Sequence, residues 1–128
     1  MGKTSLSAGE AIRAMLEADA GIKSKVTRIY PIAVDTAKLP YIVYRRKALG
    51  VTPTKTGYPG ADTAQIEVLC LTAQYSEGVE LAESVRAALD CKSYGGDGIR
   101  VRGISLQDAS EDWTDDAFVQ ELVFSCRM

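Results

Sequence analysis

The chain has 128 residues and a mass of 13.8 kDa, which suits one domain and leaves no room for two. Hydrophobic residues make up 46% and charged residues 25%, the balance of a globular protein, so disorder and collagen-like fibres are excluded. The absence of histidine excludes Ser-His-Asp and Cys-His catalysis and any zinc site built with imidazole.

The cysteine pattern predicts neither disulfides nor a zinc ribbon. Cys70, Cys91 and Cys126 are an odd number without C-x-x-C spacing, so we expect free thiols, with Cys70 and Cys126 in the cores of strands. No apolar run approaches the roughly 20 residues that cross a bilayer, and the N-terminus lacks the apolar region of a signal peptide. We therefore expect no zinc site and no membrane span.

The net charge of −2 is unevenly distributed along the chain. Residues 1–62 contain ten Lys and Arg against five Asp and Glu, a net of +5, whereas residues 63–128 contain five against twelve, a net of −7. Two explanations are open. The halves interleave in the fold and their charges mix, or a basic face meets an acidic face of a neighbouring copy in a head-to-tail contact that closes a ring.

The first third of the chain predicts helices followed by a strand. Ser7 and Glu10 fit a capping box, and the apolar stripe that follows is helical: Ala8, Ala11, Ile12, Met15 and Leu16. Asp19 is the expected cap of a second short helix, from Ala20 to Val26. Aromatic and β-branched residues then predict a strand from about Pro40 to Leu49.

The central region predicts a loop, a strand and a helix. Residues 50–62 are rich in glycine and proline and show no periodicity, so we expect a flexible loop. A strand is predicted over residues 64–73. Ser76 is the expected N-cap of a helix that ends near Cys91, with its apolar stripe at Tyr75, Val79, Ala82, Val85 and Leu89.

The last third predicts a turn and two strands. Residues 93–98 contain three glycines and indicate a tight turn, Ile99 to Ile104 alternate as a strand, and residues 117–126 form the last strand. The element order helix, strand, strand, helix, strand, strand predicts a single α+β domain over residues 1–128. Its antiparallel sheet should have about four strands, with two main helices packed on one face.

Residues 108–116, between the last two strands, contain five acidic side chains and the only tryptophan. The spacing of a calcium loop is absent, and no feature selects a catalytic carboxylate pair. We interpret the segment as a loop, either a solvated hairpin tip or a partner-facing acidic patch. Trp113 is either folded back onto the sheet or exposed as an interface anchor.

Three consecutive basic residues, Arg45, Arg46 and Lys47, end the first predicted strand. Because side chains on a strand alternate between faces, at least one of the three is expected to need a carboxylate partner. The alternatives are an edge strand protected by charge and weak phosphate contact with nucleic acid.

The order and spacing of these elements resemble a known family. The capped N-terminal helix is followed by Arg28-Ile29-Tyr30-Pro31, by Leu39-Pro40-Tyr41-Ile42-Val43-Tyr44, and later by the helix around Glu80 to Leu89. From about Ser7 to Cys126 the chain resembles the tail-completion proteins of long-tailed bacteriophages and prophages, also called tail terminator or tail-to-head joining proteins.

This resemblance implies a structural protein without catalytic residues or cofactors. It implies a hexameric ring of this chain that caps the tail tube at the tail–head junction of the virion and contacts the tail tube protein and the head connector protein. Neither a membrane nor specific nucleic acid is an expected partner. The candidates for interface residues are Arg45, Arg46, Lys47, Lys55, Tyr58, Asp112, Trp113, Asp115 and Asp116. A head-closure or connector component and a small ligand- or nucleic-acid-binding module remain the alternatives.

Overall fold

The computed structural model describes residues 5–32, 38–50, 62–96 and 98–128. After a 3-10 turn at Ser5–Ser7, the helices are α1 (Ala8–Ala18), α2 (Ala20–Lys25) and α3 (Tyr75–Leu89). The strands are β1 (Ile29–Pro31), β2 (Tyr41–Gly50), β3 (Thr63–Thr72), β4 (Tyr94–Gly96), β5 (Ile99–Val101), β6 (Gly103–Thr114) and β7 (Ala117–Arg127). Residues 51–61 of the predicted loop, with Lys55 and Tyr58, lie outside the described ranges.

The main sheet has five strands in the order β1-β2-β3-β7-β6, so the α+β class is confirmed and the count of about four is wrong. The pairs β2–β3, β3–β7 and β6–β7 are antiparallel, whereas β1 pairs in parallel with β2. A separate two-stranded sheet joins β4 to β5. Strands of three residues, such as β1 and β4, are too short to show alternation, which is why the sequence pattern missed them.

The helix boundaries confirm one predicted cap and correct two others. The Asp19 side chain accepts a hydrogen bond from the Ile22 amide at 3.0 Å and caps α2. The predicted capping box at α1 is wrong, because Ser7 is the N-cap residue but its side chain makes no capping bond. Ser76 is not a cap either, because α3 already begins at Tyr75 with Gln74 as its N-cap.

One core lies between the helices and the sheet face made by alternate strand residues. Ile12 and Leu16 of α1 and Ile66 and Phe124 of the central strands are fully buried in it, and so are Cys70 and Cys126, as predicted. The stripe predicted for α3 is partly wrong, because its buried residues are Gly78, Leu81, Val85 and Leu89, while Tyr75 is 48% exposed. Gly78 lets α3 approach β3, since a Cβ there would meet the Thr72 hydroxyl at 2.9 Å.

The C-terminal third differs from its prediction in two respects. The strand expected over residues 99–104 is interrupted at Arg102, because β5 pairs with β4 and β6 pairs with β7. The predicted turn at residues 93–98 contains β4. The acidic segment is not a loop: β6 continues to Thr114, and a two-residue turn leads directly into β7.

The two halves of opposite charge lie side by side in the sheet. Strands β1 and β2 come from the basic half, and β3, β7 and β6 come from the acidic half. In the sheet the two halves therefore lie side by side, whereas α1 of the basic half contacts α3, β3, β4 and β5 of the acidic half, so the first of the two explanations above holds outside the sheet. Over the described residues, no helix is long and apolar enough to cross a membrane.

Candidate protein-protein interface

The end of the β6–β7 hairpin carries two acidic residues in an unusual backbone conformation. Thr114 pairs with Ala117, and the two residues between them, Asp115 and Asp116, have φ of 49° and 61°. Positive φ at both central residues defines a type I′ turn, whose twist matches that of the flanking strands. Aspartate tolerates this region better than most residues but less well than glycine. Both carboxylates of the turn are exposed.

Trp113 combines the two interpretations of the sequence: it packs on its own hairpin and remains 52% exposed. Its ring lies edge-on to Phe118, with 4.7 Å between ring centroids. Phe118 in turn contacts Tyr75 edge-on at 5.9 Å, which joins the hairpin to the first residue of α3. These three rings form an aromatic cluster. Large, half-exposed aromatic side chains are the residue type that anchors protein interfaces.

The Glu111 carboxylate holds Tyr75 of the cluster in place by a hydrogen bond. Its Oε2 accepts hydrogen bonds from the Tyr75 hydroxyl at 2.9 Å and from Gln120 Nε2 at 2.8 Å. The bonds from Gln120 and Tyr75 lower the pKa of Glu111, and the bond to Glu111 raises the pKa of Tyr75. The hairpin end is therefore held against α3 by side chains that lie 36 residues apart in the sequence.

Toward the hairpin end, the outer edge of β6 is capped by its own aspartates. Asp108 Oδ1 accepts from the Ala109 amide at 2.9 Å, and Asp112 Oδ1 accepts from the Trp113 amide at 2.8 Å. In the register set by the two-residue turn, both amides point away from β7. The carboxylates therefore occupy donors that an added strand would need, which is one way to protect an edge from unwanted pairing.

The three basic residues predicted as an interface lie where β2 runs beyond the end of β1, since β1 pairs only with residues 42–44. Arg45 has the expected carboxylate partner: its Nη2 lies 2.8 Å from Glu67 Oε1 on β3. Arg46 Nη1 donates to the Leu6 carbonyl at 3.0 Å. Lys47 lies at a bulge and is exposed. Two of the three thus have partners in their own chain.

The partner of Arg45 is a buried acid. The Glu67 side chain is only 1% exposed and lies on the sheet face opposite the helices. A side-chain hydrogen bond with Glu67, together with burial, raises the pKa of Glu121 on β7, while Lys47 and Arg45 lower it. Arg45 therefore pairs with one of two carboxyl groups that lie close together on this face of the sheet.

The basic residues and the acidic hairpin end do not meet within one chain. Along β2, the position level with the hairpin end is Tyr41, five residues from Arg46, or about 17 Å at 3.3 Å per residue. Three strand spacings, about 14 Å, separate them across the sheet. The sequence pattern identified Trp113 but missed Tyr75, which the helical stripe wrongly assigned to the core. In the described part of the chain, no three His, Cys, Asp or Glu side chains are placed to hold a metal ion.

Comparisons with known proteins agree with this architecture. The chain matches the family described as "Tail completion protein gp17" over residues 10–128. It is similar in fold to a chain in the solved structure "Virion of native gene transfer agent (GTA) particle", with a TM-score of 0.81, 22% identity and 98% of each chain covered. No curated protein matches. The family match extends from α1 through the five-stranded sheet to the last residue, and the chain therefore belongs to the tail completion protein gp17 family.

Proposed function

We propose that this chain is a structural subunit of a ring that caps the tail tube of a phage-type particle and joins it to the head connector. Membership of the tail completion family makes it a phage structural tail protein, and the virion chain of similar fold agrees with that role. The observation that carries the ring is the side-by-side arrangement of a basic and an acidic half. Opposite charges on two sides of a subunit favour head-to-tail contacts, which generate a ring when the rotation between subunits closes.

The proposed role is non-catalytic and needs no cofactor. The side chains that the structure brings together at the hairpin end are aromatic and acidic, and their contacts hold the hairpin against α3. Rigid surface elements of this kind suit a contact surface, because little conformational freedom is lost on binding. Asp112, Trp113, Asp115 and Asp116 are its proposed contact residues. Lys47, Lys55 and Tyr58 remain predicted contacts.

The first experiment measures the solution mass by light scattering over a range of concentrations, alone and with tail tube protein. We expect a species near six times 13.8 kDa in at least one of the two conditions. A chain that remains at 13.8 kDa in both conditions would refute the ring. Electron microscopy of the mixture should place the ring at one end of each tube.

The two alternative functions predict different experimental outcomes. A head-closure component would bind the connector protein and leave tail tubes uncapped. A nucleic-acid-binding module would show salt-sensitive DNA binding. Because Arg45 and Arg46 are engaged within the chain, the ring is the better supported of these functions.

A further inference from the structure

A groove with basic walls lies at the β1 edge of the sheet. Its volume is about 410 Å³, within the range of ligand-binding clefts. Val26 and the nearly buried Ile29 are its apolar lining residues, and the charged lining residues are Arg13, Glu17, Lys23 and Arg28. Arg13 is paired with Glu17 at 3.1 Å. Lys23 and Arg28 make no ion pair with any residue in the described ranges, although Arg28 lies 5.9 Å from the centre of the Tyr30 ring, so the groove offers two cations without a carboxylate partner.

The hairpin end has the complementary character. We define the hairpin tip as Asp112, Trp113, Asp115 and Asp116, all exposed. Its three carboxylates form no ion pair within the part of the chain that the structure describes. The half-exposed Trp113 ring lies among them. The tip thus presents an apolar ring surrounded by negative charge, and the groove presents a small apolar surface beside two cations.

The groove and the tip lie at opposite edges of the sheet and at the same level along its strands. β1 and β6 are the two edges of the five-stranded sheet, four strand spacings or roughly 19 Å apart. The register connects them directly, because five residues pair in one line across the sheet: Ile29, Ile42, Cys70, Gln120 and Glu111. One chain therefore cannot bring its own tip into its own groove, but a second copy beside it can.

We propose that the hairpin tip of one copy docks into the groove between α1, α2 and β1 of the next copy. This inference rests on the proposed ring and names the two surfaces that form its repeating contact. Each copy uses a different surface on each side, so the contact is heterologous and repeats around the ring. Trp113 inserts beside Val26 and Ile29, and the tip aspartates face Lys23 and Arg28.

The test uses two variants that each disable one side of the contact. The tip variant is Asp112→Asn with Asp116→Asn, since asparagine keeps the side-chain oxygen that caps the Trp113 amide and tolerates a positive φ. The groove variant is Lys23→Glu with Arg28→Glu. Each variant alone should associate at least about tenfold more weakly than the wild type, because the tip variant removes two of the three tip charges and the groove variant places like charges across the contact. Mixed one to one, they retain one intact tip and one intact groove, and should form a dimer of about twice 13.8 kDa that does not grow further.

Trp113 gives a second readout, because it is the only tryptophan of the chain. Docking buries its ring, so emission should shift to shorter wavelength and acrylamide quenching should fall in the wild-type ring and in the mixed dimer. The matched controls are Asp108→Asn, which removes the charge of the other capping aspartate on the same strand, and Lys92→Glu, an exposed cation outside the groove. Both controls should assemble like the wild type.

The outcomes separate this inference from the proposed ring. A wild-type ring that both variants form equally well overturns the inference and leaves the ring intact. Variants that form rings but no longer bind tail tube protein also overturn the contact between tip and groove, because the tip then docks on the tube. A wild type that stays monomeric, alone and with tail tubes, overturns the ring and this contact together. Monomeric single variants that give a mixed dimer support both.

Discussion

The ion pair of Arg45 with Glu67 should contribute more to stability than any other ion pair of the described residues, because its carboxylate is buried. Glu67 is 1% exposed and lies beside Glu121. Unpairing a buried charge costs about 3–5 kcal/mol, and a charged hydrogen bond contributes about 1.5–3 kcal/mol. Since the Arg45 side chain is 52% exposed, water can reach the vacated site, and we expect Arg45→Met to cost about 2 kcal/mol.

The expected shift in melting temperature follows from the chain length. An unfolding entropy of about 2.1 cal/mol/K per residue gives about 0.27 kcal/mol/K for 128 residues, so the loss corresponds to about 7 °C. Urea denaturation followed by circular dichroism measures the free energy of unfolding directly. The matched control is Arg13→Met, which breaks an exposed pair with Glu17 on one helix and should cost only about 0.3–0.5 kcal/mol.

A double variant tests whether the cost comes from the unpaired acid. Replacing both partners, as Arg45→Met with Glu67→Leu, removes the buried charge together with its cation, so the double loss should be smaller than the loss from Arg45→Met alone. The reasoning is refuted if Arg45→Met costs no more than Arg13→Met, or if the losses of the two single variants add.

Three further predictions concern the hairpin and the core. Asp116→Gly should raise the free energy of unfolding by about 1 kcal/mol in urea denaturation, since glycine accepts the φ of 61° without a Cβ clash; an unchanged midpoint would contradict the strained turn. Replacing Asp108 and Asp112 by alanine should free two edge amides and promote aggregation, detected by light scattering, whereas a variant as soluble as the wild type would argue against edge protection. Burial raises the pKa of Cys70 and Cys126 from 9.0 to about 12, so the stability from burying neutral thiols is full below pH 9 and declines above it, by about 1.4 kcal/mol per thiol at pH 10. Urea midpoints at pH 8 and pH 10 should therefore fall less in the double alanine variant of these cysteines, and an equal fall would contradict the linkage.

The sequence by itself determined the elements whose signals are local. The helical stripe of α1, the Asp19 cap and the long strands β2, β3 and β7 all follow from side-chain spacing over a few residues. The α+β class and the family followed from the order of these elements. Short strands and the exact ends of helices did not follow from the sequence. A strand of three residues is too short to show periodicity, and helix caps depend on backbone geometry.

Only the tertiary structure decided which surfaces the chain presents. Tyr75 and Glu111 meet because the strand order brings the β6–β7 hairpin beside the start of α3. Arg45 finds Glu67 through the β2–β3 register. The same strand order placed the strands of the basic half beside those of the acidic half. Such contacts join residues 22 to 36 positions apart, and their partners are set by strand order and register, which local side-chain spacing does not encode.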